Sequence, residues 1–308
     1  MFGVHRSVRA TFKRMNNSIG EAIHEGARTL DESGVPEARR EASSLLEHII
    51  DRDRTFILGH PEQLLTPQHF ELFRELVFRR SSGEPLQYIT RRQSFFGLDF
   101  EVAKGVLIPR PETELLVETA LKLLKNSPAQ STICDVGTGS GCIAITILHE
   151  QPDARGVAID ISAAALEVAQ RNAERHGVSQ RLAFVKSDCF SDLPPSSSRF
   201  DLIVSNPPYV ADGEISGLQR EVRDHEPVEA LAGGPDGLAV VRRLLDGSGA
   251  FLRVGGHLLM EIGFNQAESI ERMIDPQAWK LLGIQPDLQG IPRVVVLQKI
   301  DSEAHQSR

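Results

Sequence analysis

From residue 131 onward, short apolar runs alternate with segments of helical periodicity, and this pattern restricts the fold more than any other feature. The strand candidates are Thr132–Val136, Gly156–Ile159, Leu182–Val185, Leu202–Val204, His257–Ile262, Leu281–Gln285 and Val294–Gln298. The helix candidates are 141–150, 162–176, 236–252 and 264–274. The alternation predicts a mostly parallel sheet with helices on both faces. No helix candidate separates the last two strands, so we expect them to form an antiparallel hairpin at the sheet edge.

The region before this alternation shows helical periodicity, and residues 18–90 predict a small helical bundle. Ser18, with Glu21 three residues later, is typical of a helix N-cap. Thr66-Pro67 is typical of an N-cap followed by the first helical residue.

A change of period follows the helical region. Residues 95–102 alternate between apolar and polar side chains before Gly105, which predicts a short β-hairpin within a connector over 91–108. Thr113 is expected to cap a helix that runs to about Lys125. An α/β domain at 109–300 and a polar tail at 301–308 complete the predicted organisation.

Composition excludes several classes of function. The 308 residues carry 34 Lys and Arg against 42 Asp and Glu, a net charge of −8, whereas general nucleic-acid binders need clustered basic residues. No apolar run reaches the ~20 residues that a membrane-spanning helix needs. The three cysteines, Cys134, Cys142 and Cys189, form no Cys-x-x-Cys pair, so we expect neither a disulfide framework nor a structural zinc. We therefore predict a cytoplasmic protein without a metal.

The first 17 residues are basic and contain no acid. Such a start is typical of an organellar transit peptide, but it also fits translation that begins at Met15. The segment is short and poorly amphipathic, which favours the second interpretation. We predict a disordered leader over 1–17 that takes no part in the fold.

A glycine-rich loop follows the first predicted strand of the α/β region and reads Asp135-Val136-Gly137-Thr138-Gly139-Ser140-Gly141. Glycines at this place let the backbone approach a ligand, and the next helix directs its positive N-terminus there. The second strand ends at Asp160, whose carboxylate can accept hydrogen bonds from ribose hydroxyls. The pattern predicts an adenosine-containing cofactor, but it does not distinguish a nicotinamide dinucleotide from S-adenosylmethionine.

The fourth strand of the α/β region runs into Asn206-Pro207-Pro208-Tyr209. The two prolines stiffen the backbone and lack N–H donors, while their carbonyls can still accept hydrogen bonds. Asn206 adds a side-chain acceptor and Tyr209 adds a flat face. This combination can accept both hydrogens of a planar –NH2 group, which directs its lone pair at a methyl donor. The alternative interpretation is a strand that simply ends in a proline loop.

These two motifs resemble those of class I S-adenosylmethionine-dependent methyltransferases that act on a planar nitrogen. Three further segments narrow the resemblance: Phe96-Gly97-Leu98-Asp99-Phe100, Ile108-Pro109-Arg110-Pro111-Glu112-Thr113-Glu114, and Glu226-Pro227 with Ala230-Leu231-Ala232-Gly233-Gly234-Pro235-Asp236-Gly237-Leu238. Over about residues 18–299 the chain is similar to the HemK-type peptide chain release factor glutamine N5-methyltransferases. The related ribosomal-protein L3 glutamine methyltransferases share the asparagine motif but usually differ at Arg-Pro-Glu-Thr-Glu.

The resemblance implies a fold and a partner. The expected fold is an α/β, Rossmann-like class I methyltransferase fold: a mostly parallel seven-stranded sheet with an antiparallel last strand, a small N-terminal helical bundle and a connecting β-hairpin. The helical bundle at 18–90 would bind the release factor. The cofactor would be S-adenosylmethionine, and no nucleic-acid substrate, metal or membrane would be involved.

The resemblance also implies site residues. The residues expected to bind the cofactor are Gly137, Thr138, Gly139, Ser140, Gly141, Asp160, Asp188, Cys189 and Asn206. The residues expected to hold the glutamine amide of the release factor's Gly-Gly-Gln loop are Asn206, Pro207, Pro208 and Tyr209, of which Asn206, Pro207 and Tyr209 would be catalytic. Cys189 departs from the bulkier residue often found in relatives. Arg110 and Glu112 fit either a pocket wall or an ion-paired connector, and 233–237 fits either a loop over the site or a helix-entry turn.

Other functions fit parts of the pattern. A nucleic-acid adenine N6-methyltransferase could use the same acceptor for a flipped adenine, but the acidic balance counts against it. A nicotinamide-dependent oxidoreductase lacks an acid or base for hydride transfer near the fourth strand. A binding module without catalysis would leave the Asn206 arrangement without a use.

Overall fold

The structure, a computed structural model, describes residues 17–125, 130–194 and 200–301. The predicted leader at 1–17 and tail at 301–308 lie outside these ranges, apart from Asn17 and Asp301. The chain divides into two compact units. The first runs to Arg91 and also includes Arg220–His225, and the second contains Arg92–Gln219 and the residues from Glu226 onward.

The first unit is helical. Its helices are α1 (Ile19–Glu32), α2 (Ala38–Ile50), α3 (Arg54–Gly59), α4 (Pro67–Ser81) and α5 (Leu86–Thr90). The two expected N-caps are confirmed: Ser18 Oγ accepts from the N–H of Glu21, and Thr66 Oγ1 accepts from the N–H of His69. Side chains such as Leu30, Leu45 and Phe73 form its buried core.

A buried arginine ties the later segment to this unit. The side chain of Arg80 in α4 is 2% exposed, and its Nη2 donates to Glu41 at 3.2 Å and to Glu221 at 2.6 Å. Glu221 belongs to the short helix Arg220–His225, which no sequence pattern had predicted. A cation this deeply buried needs carboxylate partners, so the pairing explains why the segment joins the first unit.

A two-stranded hairpin opens the second unit, with β1 (Arg92–Phe95) antiparallel to β2 (Leu98–Glu101). Phe96 and Gly97 form the turn, both with positive φ. The prediction over 95–102 was wrong for the first strand, which begins at Arg92. The polar side chains Arg92, Gln93 and Ser94 show no apolar alternation, because this strand contributes only Phe95 to the core.

The second unit is built on a seven-stranded sheet. Its strands are β3 (Thr132–Val136), β4 (Arg155–Asp160), β5 (Leu182–Lys186), β6 (Phe200–Ser205), β7 (Leu252–Glu261), β8 (Trp279–Pro286) and β9 (Pro292–Lys299). The strand order is β5-β4-β3-β6-β7-β9-β8. Strands β3 to β7 are parallel, and β9 is antiparallel to both of its neighbours. The predicted fold class, including the antiparallel last strand, is therefore confirmed.

Helices cover both faces of this sheet. They are α6 (Glu114–Leu124), α7 (Cys142–Glu150), α8 (Ala163–Arg175), α10 (Ala239–Phe251) and α11 (Ala267–Met273), with α9 (Arg220–His225) in the first unit. Along β6, Leu202 and Val204 enter one buried cluster while Ile203 enters the other. This alternation places one apolar layer on each face, as the near-continuous apolar strands predicted. In the described part of the chain, no helix has the length and apolarity to cross a bilayer.

The strand β7 differs most from its prediction, because it begins at Leu252 rather than at His257. Gly255 has φ +78, and the pairing with β6 shifts register between Phe200 and Leu202. A bulge in β7 therefore carries the strand across Gly255 and Gly256, which lie before its predicted start. The helix expected over 264–274 is shorter, Ala267–Met273.

Candidate active site

The two sequence motifs begin side by side at the carboxyl edge of the sheet. Val136 ends β3 and Ser205 ends β6, and these residues are paired across the two parallel strands. Ser205 Oγ donates to the Val136 carbonyl at 2.7 Å. The glycine loop and the Asn-Pro-Pro-Tyr loop therefore start from one hydrogen-bonded point, where ligands bind in open α/β sheets.

The glycine loop, Gly137–Gly141, is held by two carboxylates. Asp135 is fully buried, and its Oδ2 accepts from Thr138 Oγ1 at 2.7 Å and from the Ala144 N–H at 3.2 Å. Asp160 Oδ2 accepts from the Gly139 N–H at 2.8 Å. The loop is therefore held by one carboxylate from β3 and one from β4.

The three glycines of this loop have different roles. Gly137 and Gly139 have φ of +75 and +56, and a Cβ added to either would meet nothing within 4 Å. Their open side is therefore available to a ligand. Gly141 has φ +83, but a Cβ there would lie 2.6 Å from Ile145 and 3.1 Å from Ala169. Gly141 lets the start of α7 pack against α8, and it does not line the cavity that the described residues form.

A cavity of about 640 Å³ lies beside the two loops. The predicted site residues that line it are Gly137, Thr138, Gly139, Ser140, Asp160, Asp188, Cys189, Asn206, Pro207 and Pro208. A cavity of this size suits a cofactor-sized ligand. Of the predicted set, Gly141 and Tyr209 are not among its lining residues.

Asn206 is oriented by a residue that precedes it by 93 positions. Its Nδ2 donates to Thr113 Oγ1 at 3.0 Å, which leaves Oδ1 as the free acceptor of the amide. Thr113 was expected to cap α6, but its side chain makes no cap hydrogen bond. The prediction was wrong because the hydroxyl of Thr113, a residue only 2% exposed, accepts from Asn206 instead.

The segment Gly233–Gly237 supports the Asn-Pro-Pro-Tyr loop from outside the cavity. Val210 accepts from the Gly233 N–H at 2.8 Å and donates to the Leu231 carbonyl at 3.0 Å. A Cβ at Gly233 would lie 2.7 Å from the Pro208 carbonyl, and one at Gly237 would lie 2.4 Å from the Tyr209 carbonyl. The segment therefore packs directly on the loop backbone, and glycine is required for that approach.

Gln266 joins the same support. Its Nε2 donates to the Tyr209 carbonyl at 3.0 Å and to the Gly237 carbonyl at 3.2 Å, while its Oε1 accepts from the Gly263 N–H at 2.8 Å. The Tyr209 carbonyl is thereby bonded, whereas both prolines line the cavity.

Tyr209, expected to offer a flat face to the substrate, does not line the cavity. Its ring lies against Gly263, where an added Cβ would come within 3.0 Å of Cδ2. Burial raises the pKa of the Tyr209 hydroxyl, and the nearby Glu261 adds to the rise.

Arg110 and Asp188 line the cavity and are ion-paired, whereas Glu112 lies outside the cavity. Arg110 lines the cavity and is also ion-paired with Glu226, whose Oε2 accepts from the Ile108 N–H. Both interpretations of Arg110 therefore hold, whereas Glu112 is exposed and does not line the cavity. Asp188 lines the cavity but is paired with Arg243 at 2.8 Å.

Two buried carboxyl groups have strongly shifted acidities, one beneath each loop. Burial raises the pKa of Asp135 to about 7, against the lowering effect of the hydrogen bonds from Thr138 and Ala144. Burial likewise raises the pKa of Glu261 to about 7, against hydrogen bonds from Thr113 and Asn206. Asp135 Oδ1 and Glu261 Oε2 have no hydrogen-bond partner among the described residues.

Thr113, Gln266 and Glu261 were missed as site residues by sequence analysis. Glu261 carries one usable signal, because an acid that ends an apolar strand lies at the ligand-binding edge of a parallel sheet. Gln266 carries none. In the described ranges, no group of three or more His, Cys, Asp and Glu side chains is placed to hold a metal ion.

Two family models match parts of this chain. Residues 21–90 match the PrmC N-terminal domain, and residues 111–222 match the methyltransferase small domain. The chain is 43% identical to a release factor glutamine methyltransferase of Nitratidesulfovibrio vulgaris, over 88% of this chain and 91% of the relative. It is 41% identical to a release factor glutamine methyltransferase of Koribacter versatilis, over 92% of this chain and 99% of the relative.

A solved structure supports the fold alone. The hMettl16 catalytic domain in complex with MAT2A 3′UTR hairpin 6 superposes with a TM-score of 0.54 at 17% identity, covering 73% of this chain and 82% of that chain. The identity and coverage of the two bacterial relatives settle the family. The chain belongs to the release factor glutamine methyltransferases.

Proposed function

We propose that this protein transfers a methyl group from S-adenosylmethionine to the side-chain amide nitrogen (N5) of the glutamine in the Gly-Gly-Gln motif of peptide chain release factors. The observation that carries the proposal is the orientation of Asn206. Its amide N–H is engaged by Thr113, so its Oδ1 is an acceptor at the wall of a cavity that the glycine loop also lines.

The acceptor pair explains why a carboxamide could react. An amide nitrogen is a poor nucleophile because its lone pair is delocalised into the carbonyl. Asn206 Oδ1 and the Pro207 carbonyl accept its two hydrogens, which returns electron density to nitrogen and fixes the direction of the lone pair. The surplus proton leaves during or after transfer, so no strong base is needed at the start.

The residues around the cavity fit S-adenosylmethionine. Gly137 and Gly139 leave open space for a ligand to approach the backbone, and Asp160 offers carboxylate oxygens to ribose hydroxyls. Asp160 Oδ2 accepts from the Gly139 N–H and Oδ1 from the Ser162 N–H, and a carboxylate has about four lone-pair sites in all. When bound, the cofactor supplies an electrophilic methyl group on a sulfonium. Asp188 and Cys189 are proposed to flank the adenine.

The helical domain at 18–90 is proposed to bind the folded release factor. Its surface carries large exposed apolar side chains, including Leu58 at 66% and Leu64 at 67% exposure. Contiguous exposed apolar groups mark protein-binding surfaces, and the proposal assigns Leu58 and Leu64 to such a patch. Replacing both leucines with serine is expected to raise the KM for the folded factor and to leave kcat unchanged, as measured by initial rates over a range of factor concentrations. We also propose that the protein acts in the cytoplasm, where it would meet release factors.

One experiment tests the proposed substrate. The protein is incubated with methyl-labelled S-adenosylmethionine and one of four acceptors: release factor, release factor with the Gly-Gly-Gln glutamine changed to alanine, ribosomal protein L3, or DNA. We expect label only on the unaltered release factor. Label on DNA or L3, or label that survives the glutamine change, would overturn the substrate assignment.

A further inference from the structure

The side chain that orients Asn206 is itself oriented. Thr113 Oγ1 accepts from Asn206 Nδ2 at 3.0 Å and is almost fully buried. A hydroxyl has one proton to donate and lone pairs to accept with. Since a lone pair of Thr113 is taken by Asn206, its proton is left for another acceptor.

Glu261 is that acceptor. It is the last residue of β7 and is 2% exposed, and Met260 pairs with Ser205 of β6, so Glu261 follows beside Asn206. Hydrogen bonding to Thr113 and Asn206 is among the causes that lower the pKa of its carboxyl group. A carboxylate can only accept hydrogen bonds. It therefore fixes the direction of each hydrogen bond in the network of Asn206, Thr113 and Glu261. The Thr113 proton points to Glu261, and the Asn206 N–H groups point to Thr113 and Glu261.

The direction of the hydrogen bonds in this network decides which end of the Asn206 amide faces the cavity. With a carboxylate at Glu261, Oδ1 faces the substrate as an acceptor. If Glu261 became a donor, the Thr113 hydroxyl could turn, and the Asn206 amide could present Nδ2 instead. Two N–H donors would then meet, one from Asn206 and one from the substrate amide, and the substrate would be repelled.

We propose that Glu261, acting through Thr113, is a positioning residue that holds Oδ1 of Asn206 toward the substrate amide. The inference rests on the proposed function, since it assigns a role within that reaction. Glu261 does not line the cavity, so it acts through its partners and does not touch the substrate.

The charges around Glu261 make this device sensitive to pH. Burial raises its pKa, Thr113 and Arg293 lower it, and Glu112 raises it, with a result of about 7. Tyr209 and Cys142 also interact with this carboxylate, and both are neutral near pH 7 because burial raises their pKa values. Protonation converts Glu261 into a donor, so the rate of transfer should fall as pH drops through about 7.

The test compares kcat and KM for release factor in the wild type, Glu261→Gln, Thr113→Val and Thr113→Ser. We expect Glu261→Gln and Thr113→Val to lower kcat by about 10- to 100-fold, the effect of one hydrogen bond to a charged group. Thr113→Ser keeps the hydroxyl and should restore a rate within about threefold of the wild type. Affinity for S-adenosylhomocysteine should stay within about threefold in all variants.

A matched control is Thr119→Val. Thr119 is also a buried threonine, but its Oγ1 donates at 2.8 Å to the Leu115 carbonyl within α6. It should keep the wild-type kcat. If Thr119→Val lost as much activity as Thr113→Val, the effect would come from packing, and the role of Thr113 would be overturned.

The pH profile supplies a readout that packing does not move. The wild type should show an acid limb in kcat with an apparent pKa of about 7. Glu261→Gln should lack that limb and stay slow at every pH. A wild-type rate in Glu261→Gln, or an unchanged acid limb in that variant, would overturn the role of Glu261. If Glu261→Gln fails to fold, the pH profile of wild-type kcat and the comparison of Thr113→Val with Thr113→Ser test the positioning role.

The wild-type arm separates this inference from the proposed function. Wild-type transfer to release factor with full activity in Glu261→Gln would overturn only the positioning role. Absence of transfer by the wild type would overturn the proposed function, and the positioning role with it.

Discussion

The two loops of the site are built in opposite ways. The glycine loop is supported mainly from nearby in the sequence, because Asp135 bonds Thr138 and Ala144, three and nine residues away. The Asn-Pro-Pro-Tyr loop is supported from far away, because Thr113 lies 93 residues before Asn206 and Gln266 lies 57 residues after Tyr209. A ligand-binding loop can thus be encoded locally, whereas this acceptor loop depends on the assembled sheet edge.

The difference has a physical origin. The glycine loop presents backbone to its ligand, so local turns and two carboxylates are sufficient to shape it. The acceptor loop must present one oxygen of an amide whose two ends are nearly identical in shape. Choosing between those ends requires fixed donors and acceptors around the side chain. These come from Thr113, which lies just before α6, and from Glu261 at the end of β7, the strand that pairs with β6.

The largest effect should come from the acceptor itself. Asn206→Ala is expected to lower the single-turnover rate of methyl transfer by about 10²–10³-fold, since it removes one fixed hydrogen-bond partner of the reacting group. The affinity for S-adenosylhomocysteine, measured by calorimetry, should change by less than about threefold. A wild-type rate, or a loss explained entirely by weaker cofactor binding, would contradict the separation of the two loops.

Disturbing the distant support should have the next largest effect. Gly237→Ala places a Cβ 2.4 Å from the Tyr209 carbonyl at a residue with φ +74, so the acceptor loop must shift. We expect kcat to fall by about 10²-fold, because displacements of about 1 Å have this effect on positioned groups.

Gly213→Ala is the matched control for this prediction. Gly213 has open space around an added Cβ and no positive φ. It lies between the Asn-Pro-Pro-Tyr loop and the segment Gly233–Gly237 in the sequence. Its rate should equal that of the wild type. Equal losses in the two variants would show that the segment as a whole, and not the close approach at Gly237, governs the rate.

Substitutions of the carboxylates proposed to bind the cofactor should weaken cofactor binding and largely preserve kcat. Asp160→Asn is expected to weaken binding of S-adenosylhomocysteine by about 10- to 100-fold, with kcat largely preserved at saturating cofactor. Asp188→Asn should weaken binding by less than about tenfold, because its side chain is 52% exposed and already paired with Arg243. Calorimetry on both variants checks the order, and a larger effect at Asp188 would reverse the assignment of roles.

The last prediction concerns stability. The folded-state pKa of Asp135 is raised from 3.8 to about 7, so its contribution favours folding below about pH 4 and is lost as pH rises to about 7. The free energy of unfolding of the wild type should therefore fall relative to Asp135→Asn over this window. The relative fall should be at most about 4 kcal/mol, the equivalent of three pKa units. Denaturant titrations of both proteins between pH 4 and 8 measure it, and a constant difference would contradict the shift.

The same contrast explains what could be predicted from the sequence. The strand–helix alternation, the glycine loop and Asp160 all follow from local patterns, and so does the Asn206 motif. The roles of Thr113 and Glu261 do not, because each depends on a partner that only the folded sheet edge brings near. Thr113 even has the local signature of a helix cap, which its contact with Asn206 overrides. The onset of β7 was hidden for a related reason, since the bulge at Gly255 forms only against β6.

A crystal structure of the protein with S-adenosylhomocysteine and a peptide that contains Gly-Gly-Gln would test the central claim most directly. The account predicts that the glutamine amide nitrogen lies within about 2.7–3.2 Å of both Asn206 Oδ1 and the Pro207 carbonyl, and faces the sulfur of the cofactor. An amide held elsewhere, or an Asn206 whose Nδ2 faces the glutamine, would contradict it.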